Sequence, residues 1–369
     1  MKHDWEYKKL GDICDKGSSN ISLNKIKDNI GEYALFGASG YVKDIDFYHN
    51  ETPYIGIVKD GSGCGRVNIY PAKSSLVGTM QYIYPKQNCD IKFLMYLLQS
   101  LDLSSLVTGA AIPHIYFKDY SKFSVPLPPL STQQSIVSEL DSLSQIIADC
   151  KETLKDYDAL EQSIFYDMFG DPVKNDKGWE VKKLEDLCDK IVDCPHSTPI
   201  KSETPTRFPC IRTSELRNGE ISWDSMQYVG EKEYENRIAR LQPQTDDIVF
   251  GREGSIGGAV ILPEGYNFCL GQRTMLLRAN RTLIEPVFLH RVILSDWIKN
   301  QIMDKNVAST VAHVNVKDVK AFLLPLPPLS LQQQFASKIE AIEQMKSETK
   351  KALQEAETLF QARMDYWFG

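Results

Sequence analysis

Two short glycine-rich segments, each preceded by a cation, are the parts of this sequence best suited to approach a ligand. They are KDGSGCGRV at residues 59–67 and REGSIGGAV at residues 252–260. Glycine lets the backbone come close to a ligand, and lysine or arginine can bind a phosphate or a guanine edge. Neither segment continues into the Gly-Lys-Ser/Thr of a phosphate-binding loop, and neither matches GxGxxG before a helix. The segments therefore predict close-approach surfaces and argue against nucleotide binding.

Further cations and hydroxyl side chains accompany these segments or gather near residue 210. Arginine and lysine serve phosphates and base edges, while serine and threonine supply shorter hydrogen bonds to DNA. Taken singly, each cation is more simply a solvated surface charge, so the prediction depends on their paired placement. The candidate DNA-contacting residues are Lys59, Ser62, Arg66, Arg207, Arg212, Thr213, Arg252, Ser255, Arg273 and Arg278.

Catalytic and metal-binding patterns are missing from the sequence. It contains no HExxH, no GxSxG and no Asp/Asn-Pro-Pro-aromatic tetrad, and its six histidines show no metal-ligand spacing. DCPHSTP at residues 193–199 places a cysteine, a histidine and a serine together, but its two prolines favour a rigid turn. Eight cysteines without a CxxC pair indicate reduced thiols, mostly in the core. No metal site is predicted, and a self-sufficient enzyme such as a hydrolase is disfavoured.

The composition is that of an ordinary globular protein of two or three domains, with 369 residues, 42% hydrophobic and 25% charged. No apolar run approaches the roughly 20 residues of a membrane span, and the N-terminus lacks the apolar core of a signal peptide. A cytoplasmic location is therefore expected. The net charge is −7, and residues 126–178 alone carry −6 of it. The larger segments on either side are nearly neutral, which leaves room for a basic face on each.

The chain is internally duplicated. VPLPPLSTQQ in the first half returns 199 positions later as LPLPPLSLQQ, and the segments that follow align without a gap to a final FG. WEYKKLGDICDK from Trp5 likewise returns as WEVKKLEDLCDK from Trp179. The repeat predicts a plan of globe, helix, globe and helix. The predicted limits are residues 1–125, 126–170, 171–324 and 325–369.

Each proline motif is expected to launch a long helix. The prolines exclude helix before the launch point, and Ser131 with Gln134 fits a capping box, as does Ser330 with Gln333. A short helical hairpin inside one compact domain is the alternative. The exact duplication of the launch turn favours instead a device in which spacing matters.

Apolar residues repeat along both helical segments at alternating steps of three and four, which indicates a coiled-coil stripe. Glu161 interrupts the first stripe, and Lys346, Thr349 and Arg363 interrupt the second. Two helices with matching stripes are expected to pair as a spacer between the globes. The stripe positions are Ile136, Leu140, Leu143, Ile147, Leu154, Phe335, Ile339, Ile342, Leu353 and Phe360.

Both globes combine strand-like and helix-like segments. TPYIGIVKDG, SLVGTMQYIYP, DDIVFGREG and RTMLLRA are typical of strands, while DIKFLMYLLQS and IEPVFLHRVILSDWIKNQI are typical of helices. The predicted fold class is two α/β (α+β) globular domains joined by two long antiparallel coiled-coil helices. The duplication predicts a pseudo-twofold relation between the halves.

Taken together, WEVKKLEDLCD, DCPHSTP, FPCIRTSEL, GREGSIG and both PLPPLSxQQ helix starts resemble the specificity subunits of type I restriction-modification enzymes. The resemblance covers essentially the whole chain. It implies two target recognition domains, each reading one half of a split sequence in double-stranded DNA. It also implies that the two helical segments set the spacing between half-sites and dock two modification subunits, with restriction subunits as further partners.

The resemblance further implies that this chain is not an enzyme and binds no cofactor itself. S-adenosylmethionine, ATP and Mg are expected in the partner subunits, which methylate adenine or cleave DNA. The first globe lacks an equivalent of DCPHSTP and is shorter, so its recognition loop cannot be inferred from the second. The two globes are therefore expected to read different half-sequences.

A coiled-coil protein-protein scaffold with two peptide-binding globes is the competing hypothesis. It explains the helices and the acidic charge, but it gives no reason for paired cations beside glycine segments. Two similar globes on a spacer suit a bipartite DNA target, because half-sites must lie a set distance apart along the duplex. A salt titration separates the hypotheses, since DNA affinity falls steeply with salt.

Overall fold

The computed structural model divides the chain into two compact units. Unit 1 comprises Met1–Glu152 and Thr349–Gly369, and unit 2 comprises Thr153–Glu348. Each predicted long helix therefore contributes one part to each unit. The residues that the structure describes are 4–109, 113–254, 256–306 and 313–369.

Unit 1 consists of short strands and short helices that precede the first long helix. Its strands are β1 (Glu6–Lys9), β2 (Cys14–Ser18), β3 (Tyr33–Gly37), β4 (Gly40–Ile45), β5 (Tyr54–Val58), β6 (Val67–Tyr70), β7 (Ser75–Leu76), β8 (Met80–Pro85) and β9 (Ser124–Leu127). The helices are α1 (Leu10–Ile13), α2 (Ile91–Ser100), α3 (Phe117–Tyr120) and the long α4 (Leu130–Phe169), which continues into unit 2.

Unit 2 has a similar set of elements with additions. Its strands are β10 (Glu180–Lys183), β11 (Cys188–Asp193), β12 (Pro209–Ile211), β13 (Leu216–Arg217), β14 (Glu220–Ile221), β15 (Gln227–Tyr228), β16 (Ile248–Gly251), β17 (Ala259–Ile261), β18 (Cys269–Leu270), β19 (Thr274–Ala279) and β20 (Leu323–Leu326). The helices are α5 (Leu184–Leu187), α6 (Glu231–Ile238), α7 (Pro286–Leu294), α8 (Asp296–Asn306), α9 (Val316–Lys320) and the long α10 (Leu329–Phe368), which ends in unit 1.

The sheets of the two units follow one topology. In unit 1 a four-stranded sheet has the order β2-β8-β5-β6, a three-stranded sheet has the order β4-β3-β7, and β1 pairs with β9. In unit 2 the corresponding orders are β11-β19-β16-β17, β15-β12-β18 and β10 with β20. The β13-β14 hairpin and α6 are additions of unit 2. The predicted duplication and the predicted mixed fold class are confirmed.

Most predicted strands and helices are present with shifted ends. TPYIGIVKDG contains β5, whose five residues are all buried, as expected of a central strand. SLVGTMQYIYP is divided between β7 and β8. The second predicted helix is also divided, because Ser295 adopts extended backbone angles and ends α7 before α8 begins.

The long helices begin two residues earlier than the predicted capping boxes require, since an N-cap at Ser131 or Ser330 would place the first helical residue at 132 or 331. α4 begins at Leu130 and α10 at Leu329, so Ser131 and Ser330 lie inside the first turn and are not N-caps. The carbonyl of Pro129 accepts the N–H of Thr132 at 2.9 Å. A helix can follow proline directly because proline has no N–H to leave unsatisfied and its φ already suits a helix.

The two long helices pair antiparallel within each unit. In unit 1 the first part of α4 lies against the last part of α10, where Lys151 Nζ is 2.7 Å from Glu357 Oε1. In unit 2 the last part of α4 lies against the first part of α10, where Lys346 Nζ is 2.8 Å from Glu161 Oε1. Each helix is 40 residues long, so the alternative of a short hairpin is wrong. Among the described residues, no helix has the length and apolar character needed to span a membrane.

The predicted stripe faces inward along both helices. Residues near the start of each helix pack fully into the core of their own unit, and the remaining stripe positions are half-buried. The fully buried positions are Ile136, Leu140, Phe335, Ile339 and Ile342. The half-buried positions are Leu143, Ile147, Leu154, Leu353 and Phe360.

Candidate nucleic-acid interface

The two glycine segments are the turns of equivalent β-hairpins. One joins β5 to β6 in unit 1, and the other joins β16 to β17 in unit 2. These turns need glycine because several of their residues adopt positive φ, which strains other side chains. The glycines concerned are Gly61, Gly63, Gly65, Gly254 and Gly257.

Lys59 and Arg252 occupy matching backbone positions at the start of these turns. The carbonyl of Lys59 accepts the N–H of Ile115 at 3.0 Å, and that of Arg252 accepts the N–H of Val314 at 3.1 Å. The two donors directly follow the duplicated histidines of the HIY and HVN motifs. The paired placement read from the sequence is therefore a property of the fold.

In unit 1 the predicted contact residues lie together at the hairpin turn. Lys59 is half-buried with its Nζ 3.7 Å from Asp60 Oδ2, while Ser62 and Arg66 are exposed. The Arg66 guanidinium folds back over the turn, where Nε donates to the carbonyl of Gly63 at 3.3 Å. A hydroxyl and two cations thus share one accessible turn.

In unit 2 the matching cation is buried. Only 5% of Arg252 is exposed, and its Nη2 lies 2.9 Å from Asp193 Oδ1. Its Nη1 donates to the carbonyl of Val314 at 3.3 Å. The side chain therefore supports the hairpin from inside and connects the GREGSIG motif to the DCPHSTP motif.

Arg273 presents the exposed charge at the hairpin of unit 2. Its backbone has a φ of +66°, and its Nε lies 2.9 Å from Glu253 Oε2. The other oxygen of Glu253 lies 2.8 Å from His313 Nδ1. The Thr213 hydroxyl faces the place that a side chain at Gly254 would occupy. The tip therefore combines a guanidinium, a carboxylate, an imidazole and a hydroxyl.

The remaining predicted cations lie away from this tip or serve the protein interior. Arg212 forms an ion pair with the fully buried Glu215 at 2.6 Å and also donates to the carbonyl of Ser225. Arg278 forms two hydrogen bonds with Asp247, which raise the pKa of Arg278. It lies five residues after Arg273, near the far end of β19.

Arg207 is the most exposed predicted cation of unit 2 whose contacts are described. Its side chain is 69% exposed, pairs with Glu231 at 2.6 Å and lies over the ring of Phe208 at 4.8 Å. Ser255 lies outside the described residues.

The DCPHSTP motif begins at the last residue of β11 and continues as irregular backbone that bends at His196 and Ser197. Cys194 is fully buried, and burial raises the pKa of its thiol, which is the opposite of what a nucleophile needs. His196 is exposed with its Nε2 3.3 Å from Asp193 Oδ2. The rigid turn stays a prediction, and Asp193, the first residue of the motif, forms the ion pair that holds Arg252.

Two buried glutamines were missed by the sequence reasoning, although the duplicated QQ pairs were visible. Gln133 Oε1 accepts the N–H of Asp90 at 2.8 Å, and its Nε2 donates to the carbonyl of Asn88 at 2.9 Å. Gln332 Oε1 accepts the N–H of Glu285 at 2.9 Å. Asp90 and Glu285 are the N-caps of α2 and α7. The repeated proline turn thus buries a glutamine that joins each long helix to its globe.

Exposed apolar side chains on the outer faces of the long helices were also missed. Ile146 and Leu359 belong to unit 1, whereas Leu160 and Met345 belong to unit 2. The exposed fractions are 47%, 50%, 44% and 39% in that order. Ile146 matches Met345 and Leu160 matches Leu359 in the repeat, so each unit presents one member of each pair.

Comparisons with known proteins agree with this two-unit plan. The family model described as "Type I restriction modification DNA specificity domain" matches residues 2–156 and 176–358. The MjaVIII specificity subunit of Methanocaldococcus jannaschii is 21% identical, over 94% of this chain and 87% of that protein. A specificity subunit of Haemophilus influenzae, S.HindORF215P, is 21% identical over 98% of this chain and 94% of that protein. Nothing in these relatives supports a peptide-binding scaffold.

A solved structure shows the same fold. The type I restriction-modification S subunit from M. genitalium superposes with a TM-score of 0.68, at 14% identity, over 99% of this chain and 96% of that chain. The family model matches both halves of the chain and most of its length. The chain therefore belongs to the type I restriction modification DNA specificity family, the non-catalytic DNA-recognition components of type I systems.

Proposed function

We propose that this chain reads a bipartite, gapped sequence in double-stranded DNA and directs adenine methylation or cleavage by partner subunits. The observation that carries the proposal is the duplicated hairpin. Each unit has a glycine turn at the equivalent place in its own four-stranded sheet. In both, a cation occupies the matching backbone position and a histidine motif lies beside it. Two equivalent hairpins on one chain suit a DNA target that consists of two half-sites.

The structure supports different roles for the predicted contact residues. Accessible residues at the turns are assigned to bases or phosphates, whereas cations paired with a largely buried carboxylate are assigned to holding the loops in shape. The first group comprises Lys59, Ser62, Arg66, Thr213, Arg273 and the more distant Arg207. The second comprises Arg212, Arg252 and Arg278. Ser255 stays a proposed contact on sequence grounds alone.

The outer faces of the long helices are proposed to dock two modification subunits, with restriction subunits as further partners. The duplicated exposed pairs Ile146 with Met345 and Leu160 with Leu359 support this assignment, because two copies of one partner need two matching surfaces. The inward stripe instead joins helix to helix and helix to globe. S-adenosylmethionine, ATP and Mg are proposed to reside in those partners, and the complex is proposed to act in the cytoplasm.

The deciding experiment is co-expression with a type I modification subunit, followed by long-read mapping of N6-methyladenine in the host genome. The expected result is a gapped two-part motif that is methylated only when both chains are present. Unchanged methylation despite a stable complex of the two chains would overturn the proposal.

Exchange of a globe supplies the second test. Replacing residues 1–125 by those of a relative is expected to alter one half of the methylated motif and to leave the other unchanged. If both halves changed together, the two units would not read independently.

A further inference from the structure

The place where each globe meets the long helices differs in chemistry between the units. In unit 1, Tyr96 of α2 lies against the ring of Phe360, with centroids 6.1 Å apart. Its hydroxyl lies 3.3 Å from Ser144 Oγ and donates to Asp141, a half-buried carboxylate that Lys92 neutralises. The inner part of this junction is therefore aromatic and uncharged.

In unit 2 the same place is charged and buried. Arg291 of α7 forms ion pairs with Glu161 of α4 and with Glu343 of α10, the latter at 3.4 Å. Lys346 of α10 places its Nζ 2.8 Å from Glu161 Oε1 and 2.7 Å from the rim carboxylate of Asp158. Only 4% of Glu161 and of Lys346 is exposed. Buried charges are retained only where partners neutralise them.

The two junctions occupy equivalent positions of the repeat. Tyr96 lies six residues after the N-cap Asp90, and Arg291 lies six residues after the N-cap Glu285. The N–H groups of these N-caps donate to the buried Gln133 and Gln332, which we call the clamp glutamines. Equivalent positions of the long helices are 199 residues apart, and Ile147 enters the comparison as the position equivalent to Lys346. The equivalent pairs are Ser144 with Glu343, Ile147 with Lys346, and Phe360 with Glu161.

Each junction combines residues of both repeats. In unit 1, Ser144 and Ile147 come from α4 and Phe360 comes from α10. In unit 2, Glu343 and Lys346 come from α10 and Glu161 comes from α4. If the first repeat paired with a second copy of itself, Glu161 would enter a junction with Tyr96 and Ile147 and meet no cation. That arrangement would bury an unpaired carboxylate.

The second repeat would fail in the opposite way. Paired with a copy of itself, it would place Phe360 beside Arg291 and Lys346, and both cations would lose Glu161. Removing one partner from a buried ion pair is strongly destabilising. Pairing of the two unlike repeats, by contrast, places Glu161 beside both cations and leaves Phe360 against the ring of Tyr96.

We propose that this difference makes the pairing of the repeats selective. The charged junction of unit 2 and the uncharged inner junction of unit 1 disfavour the pairing of either repeat with a second copy of itself. The covalent link between the repeats then favours the partner on the same chain, because its effective concentration is high. Near-identical launch turns alone would not distinguish the repeats. The inference depends on the helix pairing and is independent of the target that the chain reads.

The test uses four forms of the full chain, each with a protease site in the turn at residues 171–178. An apolar form gives unit 2 the residues of unit 1, and a charged form gives unit 1 the residues of unit 2. An exchanged form carries both sets of changes. The apolar set is R291Y, E343S, K346I and E161F, and the charged set is Y96R, S144E, I147K and F360E.

Cleavage after folding removes the covalent link, and native mass spectrometry then distinguishes pairs of like repeats from pairs of unlike repeats by mass. The wild type and the exchanged form are expected to show unlike pairs, whereas the apolar and charged forms are expected to approach a random mixture. Relief of one unpaired buried charge corresponds to a gain of at least about tenfold in the pairing constant of like repeats.

The inference is overturned if cleaved wild type forms like pairs as readily as the uniform forms, or if the exchanged form mispairs as they do. If these residues contributed to stability alone, the exchanged form, with eight changes, would be the least stable of the four forms. The apolar and charged forms alter opposite units, so misfolding of one leaves the other to decide. Loss of the exposed Lys151–Glu357 ion pair, by K151A with E357A, is the control and is expected to produce no like pairs.

Discussion

Arg252 Nη2 lies 2.9 Å from Asp193 Oδ1 at the base of the β16–β17 hairpin of unit 2. The pair connects residues 59 positions apart in two motifs that sequence reasoning treated separately, one as a contact surface and one as a turn. Because both side chains are largely buried, neither is free to exchange its partner for solvent at low cost. The pair therefore makes the shape of the hairpin depend on the turn.

Arg252→Ala is expected to destabilise unit 2 by about 3 kcal/mol or more, since it leaves the Asp193 carboxylate buried without its cation. Urea unfolding measures the loss. Arg252→Met combined with Asp193→Asn removes both charges and is expected to recover part of it. If the loss of stability in this double variant equalled the sum of the losses in Arg252→Met and Asp193→Asn measured singly, the pair would not be coupled.

Arg273→Ala is expected to act on target reading and not on stability. Its side chain is 60% exposed, so the stability change should stay within about 0.5 kcal/mol. Methylation should fall, and the salt slope of DNA binding should decrease by about one if the contact is to a phosphate. Arg281→Ala is the control, because Arg281 is also exposed but lies on another part of unit 2. It should leave both methylation and the salt slope of DNA binding unchanged.

Lys59→Ala tests the same property from the other half-site. The expected result is weaker methylation of targets that depend on the unit 1 half-sequence, with no change in the half-sequence tolerated by unit 2. Methylation of a library of half-site variants separates the two. Full methylation of every site would remove Lys59 from the contact set.

The clamp glutamines are expected to stabilise their units in a way that their neighbours do not. Gln133→Leu leaves the Asp90 N–H buried without an acceptor, which costs about 1–3 kcal/mol. The adjacent Gln134 is exposed, and Gln134→Leu should change stability by less than about 0.5 kcal/mol. Thermal unfolding of both variants makes the comparison, and similar shifts for the two would contradict the clamp.

Unit 2 is expected to lose stability in mild acid because of His290. Burial lowers the pKa of His290 to about 4, and its Nε2 lies 3.0 Å from the carbonyl of Ala259. The unfolded chain protonates this histidine below about pH 6.5 while the folded chain keeps it neutral, so stability present above pH 6.5 is lost as the pH falls towards 4. The loss amounts to about 3 kcal/mol.

Urea unfolding between pH 7 and pH 4 measures this dependence. His290→Gln keeps a donor for the Ala259 carbonyl but cannot be protonated, so its stability should depend less on pH across that window. The same pH slope in the variant would assign the acid sensitivity to other groups.

Leu160→Asp and Leu359→Asp are expected to leave folding intact and to weaken binding of the modification subunit, since both side chains are about half exposed on the outer helix faces. Ser163→Asp adds the same charge at an exposed site of α4 and is the matched control. Titration calorimetry with the isolated modification subunit distinguishes them. Undiminished binding by both leucine variants would move the docking surface elsewhere.

The sequence was sufficient for the duplicated plan, the glycine turns and the helix stripes, because each depends on residues close together in the chain. It was insufficient where the partner is distant. Glu161 and Lys346 appeared as separate interruptions of two stripes, and nothing local shows that they meet. Arg252 and Lys59 look alike in sequence, yet one is buried because Asp193 is present and the other has no such motif.

The helix starts show how small the decisive differences are. A start two residues earlier than predicted turns Ser131 from a cap into a first-turn residue. Of the two adjacent glutamines, Gln133 enters the core and Gln134 faces solvent, because neighbouring positions of a helix face different directions.

Every hydrogen bond from the clamp glutamines to their globes ends on the main chain. Gln133 meets the Asp90 N–H and the Asn88 carbonyl, and Gln332 meets the Glu285 N–H and the Leu283 carbonyl. Every residue has a main-chain carbonyl and every residue except proline has a main-chain N–H, so these hydrogen bonds place little demand on the side chains of the globe. A globe exchanged by recombination therefore keeps this attachment as long as its local backbone shape is preserved, and the rest of its fit to the long helices depends on the residue at the position of Tyr96 or Arg291.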